Sequence, residues 1–280
     1  MAYTMQHTKH PHLQSIGVFD SGVGGLTVMQ QIVRSLPEES IVYFGDTARL
    51  PYGGKSPETI VRYSIENSIF LMQQNIKVLV IACHTASSHA ADKLKQIFNI
   101  PVVGVIEPSA EKAVQVTRNR RIAVLGTRGT INSGVYQREI QLRLSDAHVT
   151  AIPCPLFVPL VEEQLAGHEA AKLIVKEYLA PLHKQHVDTV LLGCTHYPML
   201  RALIEAELGS DVSIVDPAVT CAERVSEILH TQQWHTKERP NEGQVQQYKY
   251  YVSDDPEKFR KLGCEFLGMP LHYVETASLH

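Results

Sequence analysis

Eight short apolar runs punctuate the chain, and between them lie stretches in which apolar residues recur every three or four positions. The runs are Ile16–Phe19, Ile41–Phe44, Val78–Ala82, Val102–Ile106, Ile122–Leu125, Val149–Ile152, Val190–Leu192 and Val212–Val215. Continuous apolar runs of this length suit strands covered on both faces, as in parallel sheets with helical crossovers. The periodic stretches predict helices. Ser56 and Pro57 read as an N-cap and first-turn residue, followed by an apolar stripe of Val61, Ile65, Ile69 and Met72. Leu26, Met29, Ile32 and Val33 form a second stripe, ended by Pro37. Ala90, Ala91, Leu94, Ile97 and Phe98 form a third, closed before Pro101. Strand alternating with helix predicts an α/β fold, doubly wound, with mostly parallel strands.

Two segments echo each other. Val78-Leu-Val-Ile-Ala-Cys83-His-Thr85 parallels Val190-Leu-Leu-Gly-Cys194-Thr-His196, and Phe19-Asp-Ser-Gly22 has a looser partner in Leu125-Gly-Thr-Arg-Gly129. The cysteines lie about one small domain apart in sequence, so two related α/β halves facing each other across a cleft would account for both echoes.

Composition narrows the setting. With 280 residues, 44% hydrophobic and 20% charged, the chain can build two ordinary domains with proper cores. A formal net charge of -3 gives no reason to expect a nucleic-acid surface. No apolar run approaches the roughly 20 residues that cross a bilayer. Residues 1–14 are polar, lack the apolar segment of a signal peptide, and read as a flexible extension on a cytoplasmic protein. The polar stretch 236–246 reads as a surface loop. Five cysteines, an odd number with no C-x-x-C spacing, argue against a disulfide framework and against a zinc knuckle.

Each thiol must therefore be judged by its surroundings. Cys154, Cys221 and Cys264 read as ordinary buried cysteines. Cys83 and Cys194 both follow a strand and precede a helical stretch, where open α/β sheets bind ligands. Helix N-termini and free amides there favour thiolate, which would bring a thiol from about 8.5 towards neutrality. Two such groups suit inversion of a tetrahedral carbon: one removes a proton and the other delivers one from the opposite face. Asp20, ahead of the Gly22-Val-Gly24-Gly25 turn, could orient a thiol or bind an ammonium group. That turn lacks the third glycine of a dinucleotide fingerprint, and Gly54-Lys-Ser56 lacks the first glycine of a P-loop. Thr47, Tyr52 and Gly53 instead offer hydroxyl and amide donors to a small ligand. His196 could accept the Cys194 proton. No third or fourth ligand accompanies these Cys and His residues, so no metal is expected.

Together, Phe19-Asp-Ser-Gly-Val-Gly-Gly-Leu26, Gly45-Asp-Thr-Ala-Arg-Leu-Pro-Tyr-Gly53, Ala82-Cys-His-Thr-Ala-Ser87 and Gly193-Cys-Thr-His-Tyr-Pro198 resemble the bacterial glutamate racemases. Val103-Gly-Val-Ile-Glu-Pro108 and Pro155–Glu162 resemble them too, in the family's order. The resemblance implies interconversion of L- and D-glutamate without cofactor or metal, supplying D-glutamate for peptidoglycan and the cell wall. It implies Cys83 acting on one face, assisted by Asp20, and Cys194 on the other, assisted by His196. Asp20, Ser21, Tyr52, Gly53, His84, Thr85, Thr195 and His196 would line the substrate pocket, with Glu162 nearby. It also implies a first domain of residues 15–106 plus 217–280 and a second of 107–216. Glutamate would be the only partner implied, with no nucleic acid or membrane, and a homodimer would be compatible. An aspartate racemase and a Cys–His amidase are the competing readings. Where the family usually has Cys-Asn-Thr, this chain has Cys83-His84-Thr85. His84 would take over the asparagine's substrate contact and make activity sensitive to pH.

Overall fold

The computed structural model describes residues 11–236 and 247–279, so residues 1–10 of the expected extension and 237–246 of the expected loop lie outside the described residues. Residues 11–14 are tied to the body: Pro11–Leu13 is a single 3-10 turn, and the Gln14 amide donates to Asn75.

All eight expected runs are strands: β1 (Ser15–Asp20), β2 (Ile41–Gly45), β3 (Ile76–Ile81), β4 (Val102–Gly104), β5 (Arg121–Gly126), β6 (His148–Pro153), β7 (Thr189–Gly193) and β8 (Ser213–Val215). Two more, β9 (Tyr248–Val252) and β10 (Val274–Thr276), had no counterpart among the apolar runs. β10 is three residues long and half exposed at a sheet edge, so it needs no apolar run. The run at Val102 ends early. Val105 takes a helical conformation and Ile106 opens helix Ile106–Val116.

The strands form two sheets, in orders β10-β9-β2-β1-β3-β4 and β6-β5-β7-β8, and every neighbouring pair is parallel. The order β2-β1-β3-β4 is repeated by β6-β5-β7-β8, so the sequence echo has a topological counterpart. In each sheet the direction of winding reverses beside the first strand of the repeat, between β1 and β3 or between β5 and β7. Crevices at such reversals are where parallel sheets hold ligands. Asp20 ends β1 and Cys83 lies just past β3; Cys194 follows β7 directly.

Helix Pro57–Gln73 starts at the expected cap, where Ser56 Oγ accepts from the Thr59 amide at 3.3 Å. Its buried face differs from the expected stripe. Ile60, Ser64, Asn67, Ser68, Leu71 and Met72 point inward, while Val61, Ile65 and Ile69 are only partly covered. Ser64 and Ser68 are admissible there because each hydroxyl donates to the carbonyl four residues earlier, at 2.7 and 2.6 Å. No helix of the described residues is long and apolar enough to cross a membrane.

Candidate active site

The glycine-rich turn after β1 packs against the segment that follows β7 in the other sheet. A Cβ on Gly24 would stand 2.3 Å from Thr195 Oγ1 and 2.5 Å from His196 Nδ1, so a side chain has no room there. Thr27 Oγ1 donates to the Thr195 carbonyl at 3.0 Å, fixing helix Leu26–Ser35 to the segment after β7. On the other flank, the hydroxyls of Thr85, Thr127 and Thr130 lie 3.1–3.2 Å from one another, joining helix His84–Ile97 to helix Arg128–Asn132. Gly129 packs against the Gly53 backbone. The segments that carry Asp20, Ser21, Gly53, Cys83, Thr85, Cys194, Thr195 and His196 are therefore brought together beyond the strand ends of the two sheets.

Cys83 is the N-cap of helix His84–Ile97. Its Sγ accepts from the Ala86 amide at 3.5 Å and donates to Ser21 Oγ at 3.7 Å. The position is the expected one, but the electrostatic outcome is reversed. Burial pushes the thiol up to about 12, the Asp20 charge adds to the rise, and the Ala86 amide and Ser21 hydroxyl offset only part of it. One helix terminus does not outweigh complete desolvation. Asp20 is raised by burial too, opposed by the charge of His196 and by the Gly22 and Gly25 amides. Its Oδ2 accepts from the Gly22 amide at 2.9 Å, while Oδ1 has no protein partner among the described residues.

Around Cys194 the polarity is opposite. His196 Nδ1 lies 3.9 Å from Cys194 Sγ, and His196 Nε2 lies 3.0 Å from Glu162 Oε1. Burial alone would lower the imidazole, but the contacts with Cys194 and Glu162 outweigh it and lift it to about 10. The hydrogen bond to His196 holds the Glu162 carboxyl below its usual range against partial burial. At neutral pH an imidazolium thus sits beside Cys194, whereas the carboxyl group beside Cys83 is shifted by burial towards its protonated form. Glu162 ends the short helix Phe157–Glu162, and no local pattern in the sequence shows which histidine it meets.

Two expected donors are already used within the protein. The Tyr52 hydroxyl donates to Asp46 Oδ2 and accepts from Asn67 Nδ2 at 3.0 Å. Thr47 Oγ1 donates to the Asp254 carbonyl. Asp46, fully buried, also accepts from Arg49 Nε at 2.8 Å and Ser253 Oγ at 3.0 Å. These hydroxyls hold the loop in shape, and the Gly53 backbone packs against Thr127 and Gly129.

His84 is only 4% exposed, stacks at 6.2 Å on Tyr136, and has no protein partner for either ring nitrogen among the described residues. Burial drives its imidazole down to about 3, so it is neutral at working pH. That removes the physical basis for expecting His84 to make activity sensitive to pH.

Comparison with known proteins agrees with this geometry. The family described as Asp/Glu/Hydantoin racemase matches residues 16–225. The glutamate racemase of Geobacter metallireducens is 48% identical over 95% of this chain and 97% of its own length. That of Syntrophus aciditrophicus is 44% identical over 96% and 98%. Among solved structures, a glutamate racemase isoform from Bacillus anthracis superposes with a TM-score of 0.90 at 37% identity, covering 96% of this chain and 98% of that one. The Francisella tularensis glutamate racemase, solved with D-glutamate, gives 0.89 at 36% identity over 96% and 98%. The chain belongs to the Asp/Glu/Hydantoin racemase family, among the glutamate racemases.

Proposed function

We propose that the enzyme interconverts L- and D-glutamate with Cys83 and Cys194 as the two proton carriers. The observation that carries this reading is the placement of the two thiols at equivalent strand ends of two repeated sheets whose following segments touch. In one direction a thiolate takes the α-proton from one face of glutamate, leaving a planar carbanion. The opposite thiol then gives its proton to the other face. The net change is inversion at the α-carbon, with the protein left holding its proton on the other sulfur. Burial that keeps Cys83 protonated suits it to donate. The His196 imidazolium beside Cys194 offsets negative charge on that sulfur. Reversal exchanges the two roles.

Asp20 serves Cys83, while His196, backed by Glu162, serves Cys194. The unpartnered Oδ1 of Asp20 and the ring of His84 supply polar contacts to substrate, together with Ser21, the backbone of Tyr52 and Gly53, Thr85, Thr195 and His196. Residues 15–106 with 217–280 form one unit and 107–216 the other, a division supported by two sheets that draw their strands from these ranges without exchange. The product D-glutamate would feed peptidoglycan synthesis in the cytoplasm.

Incubation of enantiopure glutamate, and separately aspartate, in D₂O without added cofactor tests the reading. Loss of optical rotation with α-deuteration for glutamate alone is the expected result; no α-exchange with either acid would sink the proposal. Cys83→Ser and Cys194→Ser should each abolish racemisation in both directions while circular dichroism stays unchanged. An amidase using Cys194 as its only nucleophile would tolerate loss of Cys83.

A further inference from the structure

His196 is held at both ring nitrogens, by Cys194 at 3.9 Å and Glu162 at 3.0 Å, and Thr195 Oγ1 lies 3.5 Å from Nδ1. These contacts and the tether through Cβ define the plane of the ring, and a further side chain, from far along the chain, backs it. Phe266 meets the imidazole edge-on at 5.2 Å, with the rings inclined by 79°, and is itself 1% exposed. We propose that Phe266 is a positioning residue for the His196 imidazole and through it for Cys194, so that the C-terminal helix Pro256–Leu267 completes a catalytic centre whose thiol belongs to the other sheet. This rests on the racemase reading given above.

One further contact and one charge interaction link the same helix to the same relay. Gln164, two residues past Glu162, hydrogen-bonds through Nε2 to Glu265 Oε1, next to Phe266. Lys258 lies two helical turns before Glu265, and its charge helps keep the Glu162 carboxyl ionised. The helix is capped at its start and fixed to the first-sheet side further along. Asp255 caps it by accepting from the Lys258 amide at 3.0 Å, and Gln30 Nε2 donates to the Leu267 carbonyl at 2.8 Å. Phe259 packs its ring on Tyr43 at 5.7 Å. A helix fixed in this way presents Phe266 from a rigid support, which a positioning role requires. The titratable groups that act on His196 are Cys194 and Glu162 by contact and Asp20 from further off.

The test follows the His196 ring by NMR of protein carrying ¹³C-labelled histidine, with His196→Asn used to assign its signal, alongside steady-state kinetics. Phe266→Leu should lower the His196 titration midpoint by about one pH unit. It should reduce kcat about tenfold with KM within about twofold, because a loosened imidazole misplaces the acid–base pair more than it weakens binding. Phe266→Tyr, which keeps the ring, should stay near the unsubstituted enzyme in both readouts. Glu265→Ala, on the surface, should shift both in the same direction as Phe266→Leu by less. A folded Phe266→Leu with an unmoved His196 titration overturns the proposal, whatever its kcat. If Phe266→Leu does not fold, Glu265→Ala decides, and an unmoved titration there overturns it. The titration needs no substrate. Failure of the unsubstituted enzyme to deuterate glutamate therefore counts against the racemase reading alone, and an unmoved titration against the positioning role alone.

Discussion

At the scale of single residues, burial decides more than neighbourhood in sequence. Cys83 stands at a helix N-terminus, which favours thiolate, yet desolvation pushes it up to about 12. His84, beside it, is pushed down to about 3. An imidazole whose folded pKa is depressed contributes stability above its unfolded value near 6.5, and that contribution is lost as the pH falls towards 3. His84→Asn should therefore lose less stability than the parent between pH 6.5 and 3 in pH-dependent denaturant melts. The limbs of its pH–rate profile should coincide with those of the parent, because His84 does not titrate where the enzyme works. A shifted limb in the variant would show that the imidazole does ionise in the site.

At the scale of elements, the close approach of the β1 turn to the segment after β7 sets the geometry. Gly24 permits it, since a Cβ there would collide with Thr195 and His196. Both struck groups belong to the Cys194 side of the site, and the backbone at Thr195 is held by Thr27. Gly24→Ala should therefore keep a native far-UV spectrum and reduce kcat/KM by about 100-fold or more, since displacements near 1 Å suffice for that. Near-parental kinetics of glutamate exchange in this variant would mean the two halves can part without cost. The helix Pro57–Gln73 shows the opposite case, in which apolar periodicity is misleading. Its inward face carries Ser64, Asn67 and Ser68, because hydroxyls that bond back to their own helix and an amide that holds Tyr52 are as well buried as carbon.

At the scale of the whole molecule, the C-terminal segment returns to finish the first sheet and is clasped there. Lys77, at the start of β3, is fully buried; its Nζ lies 2.6 Å from Glu39 Oε2 and donates to the Trp234 carbonyl at 2.8 Å. Glu39 also accepts from the Thr236 amide and hydroxyl, each at 2.9 Å. Removing one partner strands a buried charge, so Lys77→Met should cost about 3–5 kcal/mol of unfolding free energy in calorimetry. The double variant Lys77→Met, Glu39→Gln should recover much of that loss. Equal stabilities for the single variant and the parent would show that Glu39 is rescued by water or by protonation.

The sequence by itself determined the eight principal strands, the start of helix Pro57–Gln73, the repeat of two thiol-bearing strand ends and the family motifs. Each of these is written in contacts between residues a few positions apart, or in short spacings that a reader of the chain can see. Only the tertiary structure decided that Tyr52 spends its hydroxyl on Asp46, that Glu162 meets His196, and that Phe266 meets the same imidazole edge-on. It also decided the protonation of the two sides of the crevice, raising Cys83 while setting a cation beside Cys194. Desolvation and charge depend on atoms delivered from distant parts of the chain. Local patterning therefore located the thiols, whereas burial and the side chains brought in from distant segments made them chemically unlike.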